Sequence, residues 1–208
     1  MQRLFILLYF YGKKYTLFVL LTSCCIAACN NPSSSTNKTA SKDSIAPQQD
    51  FFPVPDYIGG QVKIIDSLQL PISKTVTINN KPVLSAATDA ELRALAQQFR
   101  EPDINHPSLK KKYTETSIAD QSVPSVTLIF STADTTLVIQ KINVYIQPDP
   151  VKNDRVSSIY IEKHFMSNDT SVNQKLYWKT DKNMQVITEK RVKGKALPLE
   201  QIKITWGY

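Results

Sequence analysis

Cysteine is scarce in this chain and confined to one end of it. The three cysteines, Cys24, Cys25 and Cys29, all lie within the first 29 residues. Because no cysteine follows Cys29, the rest of the chain cannot contain an internal disulfide. That part must therefore be stabilised by a hydrophobic core, and it is long enough to bury one.

Glycine is also rare, which excludes several nucleotide-binding motifs. The five glycines form neither the phosphate-binding P-loop pattern nor the dinucleotide-binding fingerprint. The chain likewise lacks a Gly-x-Ser-x-Gly nucleophile elbow, and no Ser-x-x-Lys begins a helix with its partner motifs. The sequence thus predicts no bound cofactor and gives no sign of nucleophilic catalysis.

Histidine is nearly absent, so a metal centre is not expected. His106 lies in a predicted loop, and Glu162-Lys163-His164 places one carboxylate and one imidazole on the same face of a predicted strand. A zinc site needs three or four ligands at recognisable spacing. The acidic residues that glycoside hydrolysis would need are scattered over predicted turns and polar faces. We predict no catalytic and no metal-binding residues, and hence a protein that is not an enzyme.

The first 28 residues have the composition of a signal peptide. Lys13 and Lys14 precede an apolar run at 15–26, and Ala27 and Ala28 follow it. The run is shorter than the ~20 residues that a membrane-spanning helix needs. Fusing it with the apolar block at 4–11 would make it long enough. Both lysines would then lie near the middle of the membrane, at a cost of roughly 2.5 to 3.5 kcal/mol each.

Ile26-Ala27-Ala28-Cys29 resembles the lipobox of bacterial lipoproteins. The resemblance implies that Cys29 becomes the mature N-terminus and carries a diacylglyceryl thioether, which anchors the protein to a membrane. Leu21-Thr22-Ser23-Cys24 also fits the pattern, but Cys29 is favoured because polar sequence begins directly after it. Two or more acyl chains give stable anchoring.

The residues that follow Cys29 bear on location and partners. They lack the Asp and the acidic cluster that resemble signals for inner-membrane retention and surface export, so the resemblance implies an outer-membrane anchor facing the periplasm. A Gram-positive origin would instead place the protein outside the cytoplasmic membrane. Without residues 1–28 the net charge falls from +7 to +4, with 22 basic against 18 acidic side chains. This charge does not predict a nucleic-acid partner. Residues 29–49 are polar and predict a flexible tether.

Residues 50–208 predict one domain that begins with helices. Apolar residues at helical spacing from Ile58 to Leu68 predict a first helix that ends before Pro71. Alternation around Asn79-Asn80 predicts a hairpin over 75–85. Thr88-x-x-Glu91 is a capping box that predicts a second helix, which Pro102 ends.

After Tyr113 the apolar residues recur at every second position instead of at helical spacing. Short alternating runs separated by turn clusters predict antiparallel neighbours, a meander of about seven strands. The pattern places Ile142 and Val144 on one face and Leu137 and Ile139 on the other. We therefore predict an α+β domain, with the antiparallel meander sheet preceded by a short hairpin and covered on one face by two helices.

Two further groups of residues are candidate binding surfaces. Basic clusters occur at Lys110-Lys111-Lys112 and around Gly194, and each predicts either contact with anionic lipid or an acidic partner, or simple protection of an edge strand or turn. The late aromatic residues predict either a ligand groove or the core and cross-strand pairs of the sheet. These are Tyr145, Tyr160, Phe165, Tyr177, Trp178, Trp206 and Tyr208.

Phe-Phe-Pro-Val-x-Asp-Tyr at 51–57 and Tyr-Thr-Glu-Thr-Ser at 113–117 resemble a group of small outer-membrane lipoproteins to which no activity is assigned. Three hypotheses follow. The leading one is a non-enzymatic lipoprotein that binds an envelope protein or supports envelope assembly. The second is a carrier of lipids or acyl chains, similar in architecture to the proteins of lipoprotein sorting. The third is an envelope hydrolase that uses His106 or His164.

Overall fold

Residues 50–120, 122–149 and 153–207 are described by a computed structural model, and antiparallel β-sheet dominates them. The predicted signal peptide, the tether, Cys24 and Cys29 lie outside the described residues. None of the helices in the described ranges has the length and apolar composition needed to cross a membrane.

The described residues form three helices, all before residue 111, and ten strands. The helices are α1 (Val54–Ser67), α2 (Asp89–Arg100) and α3 (Pro107–Lys110). The strands are β1 (Ile72–Ile78), β2 (Lys81–Ala86), β3 (Thr114–Asp120), β4 (Ser125–Ser131), β5 (Ile139–Asp149), β6 (Asn153–Ser167), β7 (Thr170–Lys179), β8 (Asn183–Val192), β9 (Lys195–Ala196) and β10 (Glu200–Trp206).

The strands form one sheet in the order β2-β1-β10-β8-β7-β6-β5-β4-β3, and β9 pairs with β8. Strands β3 to β8 are each hydrogen-bonded to their neighbours in sequence, which confirms a meander-like antiparallel sheet. The sheet is larger than the predicted one of about seven strands with a separate hairpin. The reason is that β1 pairs with the last strand, β10, and so joins the hairpin to the same sheet.

The hairpin turn follows the local prediction. Asn79 and Asn80 both have positive φ, at 52° and 62°. Two successive left-handed residues make the tight turn whose twist matches that of the paired strands, and asparagine tolerates this conformation better than most residues. The turn sets the register that pairs Val76 with Val83.

Helix α2 begins as its capping box predicts. The Thr88 side chain accepts a hydrogen bond from the backbone N–H of Glu91, and the Glu91 carboxylate accepts one from the backbone N–H of Thr88 at 2.8 Å. The Lys74 ammonium, followed by the hydrogen bonds from the backbone and side chain of Thr88, lowers the pKa of Glu91 to about 2. Helix α1 begins at Val54, four residues before Ile58, because Pro55 supplies a fixed φ in its first turn.

Both long helices lie on the same face of the sheet, which we call the inner face. Helix α2 buries Leu92, Leu95, Ala96 and Phe99, and α1 buries Val54, Ile58, Val62 and Ile65. These side chains share one core with inward residues of the sheet, among them Ile161, Leu176 and Trp178. The opposite face, the outer face, carries the other half of each alternating strand.

The predicted placement of Ile139 is wrong. Ile139 is 1 % exposed and belongs to the core together with Ile142, although an odd spacing should separate their faces. The register of β5 against β6 shifts between Ile139 and Lys141. A β-bulge there adds one residue and returns Ile139 to the inner face. A second shift lies between Tyr145 and Ile146.

Candidate binding site

The two histidines occupy ordinary structural positions. His106 caps the short helix α3, with its Nδ1 2.8 Å from the Ser108 hydroxyl. His164 lies on the outer face, where its Nδ1 is 2.7 Å from Oδ1 of Asn173 on the paired strand. Glu162 accepts a hydrogen bond from the Tyr160 hydroxyl. Over the described ranges, no three His, Cys, Asp or Glu side chains are grouped as metal ligands would be.

The space beneath α2 is filled by large side chains. The ring of Phe99 meets that of Trp178 edge-on at 5.5 Å, and Trp178 lies 5.1 Å from Trp206. The recesses at the margin of this interface are lined in part by polar groups, including Lys163, Gln98 and Gln174. Such packing does not favour a carrier that holds an acyl chain between helix and sheet.

A groove of about 570 Å³ runs between the solvent sides of α1 and α2, but its two arginines are already engaged. Arg93 donates to Asp66 at 3.1 Å, and Arg100 donates to the backbone carbonyl of Pro55 at 3.2 Å and to Gln97. The groove therefore offers a ligand few cations that the protein does not already use.

The late aromatic residues divide between the two faces. Trp178 and Trp206 are fully or almost fully buried in the core. Tyr145, Tyr160 and Tyr177 point to the outer face, because each follows or precedes a buried inward residue on its strand. Tyr145 and Tyr177 remain 37 % and 41 % exposed. Tyr208 lies outside the described residues.

These three tyrosines line a recess of about 420 Å³ on strands β5 to β8, which we call the tyrosine recess. Tyr160 and Tyr177 are direct cross-strand partners, and their ring centroids lie 4.7 Å apart. Polar side chains complete the wall: Ser158, Lys179, Asn183 and Gln185. A recess of this size, with aromatic surface and a few polar groups, has the features of a small-molecule or polymer site.

The environment of Tyr160 in the tyrosine recess favours its neutral phenol. Burial, and next the neighbouring Glu162 carboxylate, raise the pKa of Tyr160 above its ordinary value. Asn143 lies beside Tyr160 in the adjacent strand and donates to the Tyr145 hydroxyl at 3.2 Å. Its side-chain oxygen is buried without a hydrogen-bond partner among the described residues. Leaving an acceptor unpaired costs on the order of 1 to 3 kcal/mol.

A second recess, of about 340 Å³, adjoins the first at the ends of β5, β6 and β7. Lys179 lines both recesses, and Arg155 and Lys182 add two further cations. Asp149 is the acid in its lining, and Asp181 forms an ion pair with Arg155. We call this second recess the basic recess.

The basic clusters predicted from the sequence are partly neutralised by local acids. Lys110 forms an ion pair with Asp50 at 2.7 Å and Lys112 one with Asp134 at 3.6 Å. Lys190 lies 3.7 Å from Glu200. The structure does not bring these two clusters together with the tyrosine recess.

Sequence reasoning identified the tyrosines as candidates without grouping them. The alternation of positions along each strand is the signal that assigns these tyrosines to one face. Each tyrosine alternates with core residues and shares its face with polar ones, as Tyr177 does between Leu176 and Trp178. Alternation does not give the register between strands, and it is the register that places Tyr160 opposite Tyr177.

Comparison with known proteins adds no relative. No family model matches the chain, and neither a curated protein nor a solved structure matches it. The resemblance of Cys29 and its neighbours to a lipobox, and that of 51–57 and 113–117 to small outer-membrane lipoproteins, therefore stay predictions.

Proposed function

We propose that this chain is a lipoprotein anchored through Cys29 to the outer membrane, facing the periplasm, with a non-enzymatic role in binding a component of the cell envelope. The observation that carries the binding role is the tyrosine recess, where exposed rings and amide side chains meet on the face that the helices leave uncovered. The lipobox-like sequence supports the anchor.

The fold supports this role because one face of the sheet forms the core and the other is free to bind. We class the domain as α+β, with α1 and α2 covering the inner face of the meander. The inner face supplies the core, so substitutions on the outer face can change binding without removing core contacts. A tether of about twenty residues has a mean reach of roughly 25 Å, enough to hold such a domain beside the membrane.

Photo-crosslinking in cells tests this proposal. Benzoylphenylalanine replaces Tyr177 in the tyrosine recess or, as a matched control, Leu84. Leu84 lies in the same cross-strand row of the outer face, four strands away, and is 72 % exposed. We expect a discrete adduct with an envelope component from position 177 and none from position 84.

The anchor is tested in the same experiment by adding Cys29→Ala to the position 177 variant. We expect the adduct to be lost, because the chain then cannot acquire the acyl anchor that places it at the outer membrane. Equal adducts from positions 177 and 84, or none from position 177, would contradict the binding role. An undiminished adduct in the Cys29→Ala chain would contradict the anchor.

A further inference from the structure

We infer that the tyrosine recess and the basic recess together bind an acidic glycan, with a sugar ring on the tyrosines and its anionic group at Lys179 and Lys182. This inference rests on the proposed binding role and names the chemical class of its ligand. It follows from three features of the described residues: the aromatic surface, the type of polar group around it, and the charge of the adjoining recess.

The aromatic surface suits the apolar face of a sugar ring. The rings of Tyr160 and Tyr177 stack at an angle, with 4.7 Å between centroids and a tilt of 38°. Tyr177 and Tyr145 remain 41 % and 37 % exposed, so both present aromatic surface to the recess. A pyranose presents C–H groups on its faces, which contact the negative face of an aromatic ring favourably.

The polar side chains around the rings favour hydroxyl groups over a proline-rich peptide. Asn183 and Gln185 each carry both donors and an acceptor, which match hydroxyls because a hydroxyl also donates and accepts. A proline-rich peptide, the other common occupant of tyrosine-lined grooves, offers proline rings that can do neither.

The charge around the two recesses favours an acid group on the sugar. Among the described residues, no carboxylate lines the tyrosine recess itself, and Glu162 lies beside it as the acceptor for Tyr160. In the lining of the basic recess Arg155 is paired with Asp181, which leaves Lys179 and Lys182 against Asp149. Lys179 is the residue that both recesses share, so it lies where a substituent would leave the sugar ring. A carboxylate there gains charge-assisted hydrogen bonds.

Calorimetric titration of the full chain, purified from membranes in a detergent without sugar, tests the inference. The probes are tetragalacturonate and the same oligosaccharide with its carboxylates methyl-esterified, each up to about 10 mM, where even a weak complex saturates. We expect the acid to bind and the ester to bind about tenfold more weakly. The absence of binding by both probes, or equal affinity for both, would overturn the inference.

Variants locate the site. Tyr177→Ala should weaken binding of the acid about tenfold and Tyr177→Phe should restore it, because the ring makes the contact. Lys179→Gln should abolish the preference for the acid. Lys175→Gln, on the same face of the same strand but outside both recesses, should preserve it. Unchanged affinity in Tyr177→Ala, or equal effects of the two lysine variants, would refute the assignment.

The two proposals can fail separately. A protein adduct at position 177 in cells, together with no oligosaccharide binding in solution, would refute the glycan and leave the binding role in place. The absence of both would refute both. Circular dichroism of each variant, unchanged from that of the wild type, shows that the fold is intact.

Discussion

Lys163 is a lysine that the fold buries on the inner face, at the end of α2. Its ammonium group donates to the backbone carbonyls of Gln98 and Glu101, which are left without partners in the helix. Burial lowers the pKa of Lys163 to about 8, and the Glu101 carboxylate opposes this only in part. Lys163 thus caps the helix, and its charged form is costly to bury.

This pKa predicts how stability depends on pH. Between about pH 8, the folded pKa, and 10.5, the ordinary value, the unfolded chain binds more protons than the folded one. The free energy of unfolding should therefore rise with pH in that window, by about 2 kcal/mol at about pH 9.5. Neutral Lys163 still has two N–H groups for the two carbonyls.

Denaturant unfolding at a series of pH values measures this effect. In Lys163→Met the rise above pH 8 should vanish, because the titrating group is gone. Lys175→Met serves as the control, since Lys175 is exposed on the outer face, and it should keep the rise. Parallel pH profiles for wild type and Lys163→Met would show that Lys163 is not the cause.

Local sequence rules succeeded at the residue scale wherever the deciding contact is short-range. The capping box of Thr88 and Glu91 and the Asn79-Asn80 turn depend on neighbours within three residues, and both form as predicted. Lys163 was not recognised as a capping residue, because its acceptors are 62 and 65 residues away. No pattern within one strand encodes such a contact.

At the scale of elements, β10 joins the two parts of the sheet. It pairs with β1 on one side and β8 on the other, and so connects the hairpin to the meander. Ile204 and Trp206 point to the core from this strand and are 1 % and 4 % exposed. Strand β10 therefore lies inside the sheet, third from the β2 edge, and contributes to the core.

Trp206→Ala should be strongly destabilising. Truncating a buried tryptophan typically costs about 3 to 5 kcal/mol, and Trp206 also contacts Trp178 and pairs with Ile72. Thr205→Ala, one residue away on the outer face and exposed, should change stability by less than about 0.5 kcal/mol. Urea unfolding followed by circular dichroism compares the two. A loss in Trp206→Ala no greater than that in Thr205→Ala would contradict a structural role for β10.

The alternation of apolar residues predicted most of the strands, but it predicted neither the bulges nor the pairing of the hairpin with the rest of the sheet. Ile142, Ile161 and Trp178 face the core as alternation predicts. Ile139 does not, because the bulge beside it adds a residue that no local signal marks. The pairing of β1 with β10 joins segments more than a hundred residues apart, and periodicity carries no information on which strands pair.

At the scale of the whole molecule, the two edge strands of the sheet differ from its central strands in their exposure to solvent. Every residue of β2 and of β3 is exposed. Strand β2 carries Lys81 and Pro82, and β3 carries Glu115 and Asp120, which discourage pairing with another chain. The tyrosine recess lies away from both edges, in the middle of the outer face.

The proposed anchor at Cys29 would determine which molecules the tyrosine recess can meet. Mass spectrometry of the N-terminal peptide, from protein isolated from membranes of cells that express the full chain, tests it most directly. We predict a peptide that begins at Cys29 and carries a diacylglyceryl group, unchanged by Cys24→Ala and absent in Cys29→Ala. A peptide that retains residues 1–28, or a Cys29 without acyl mass in a water-soluble protein, would contradict the account.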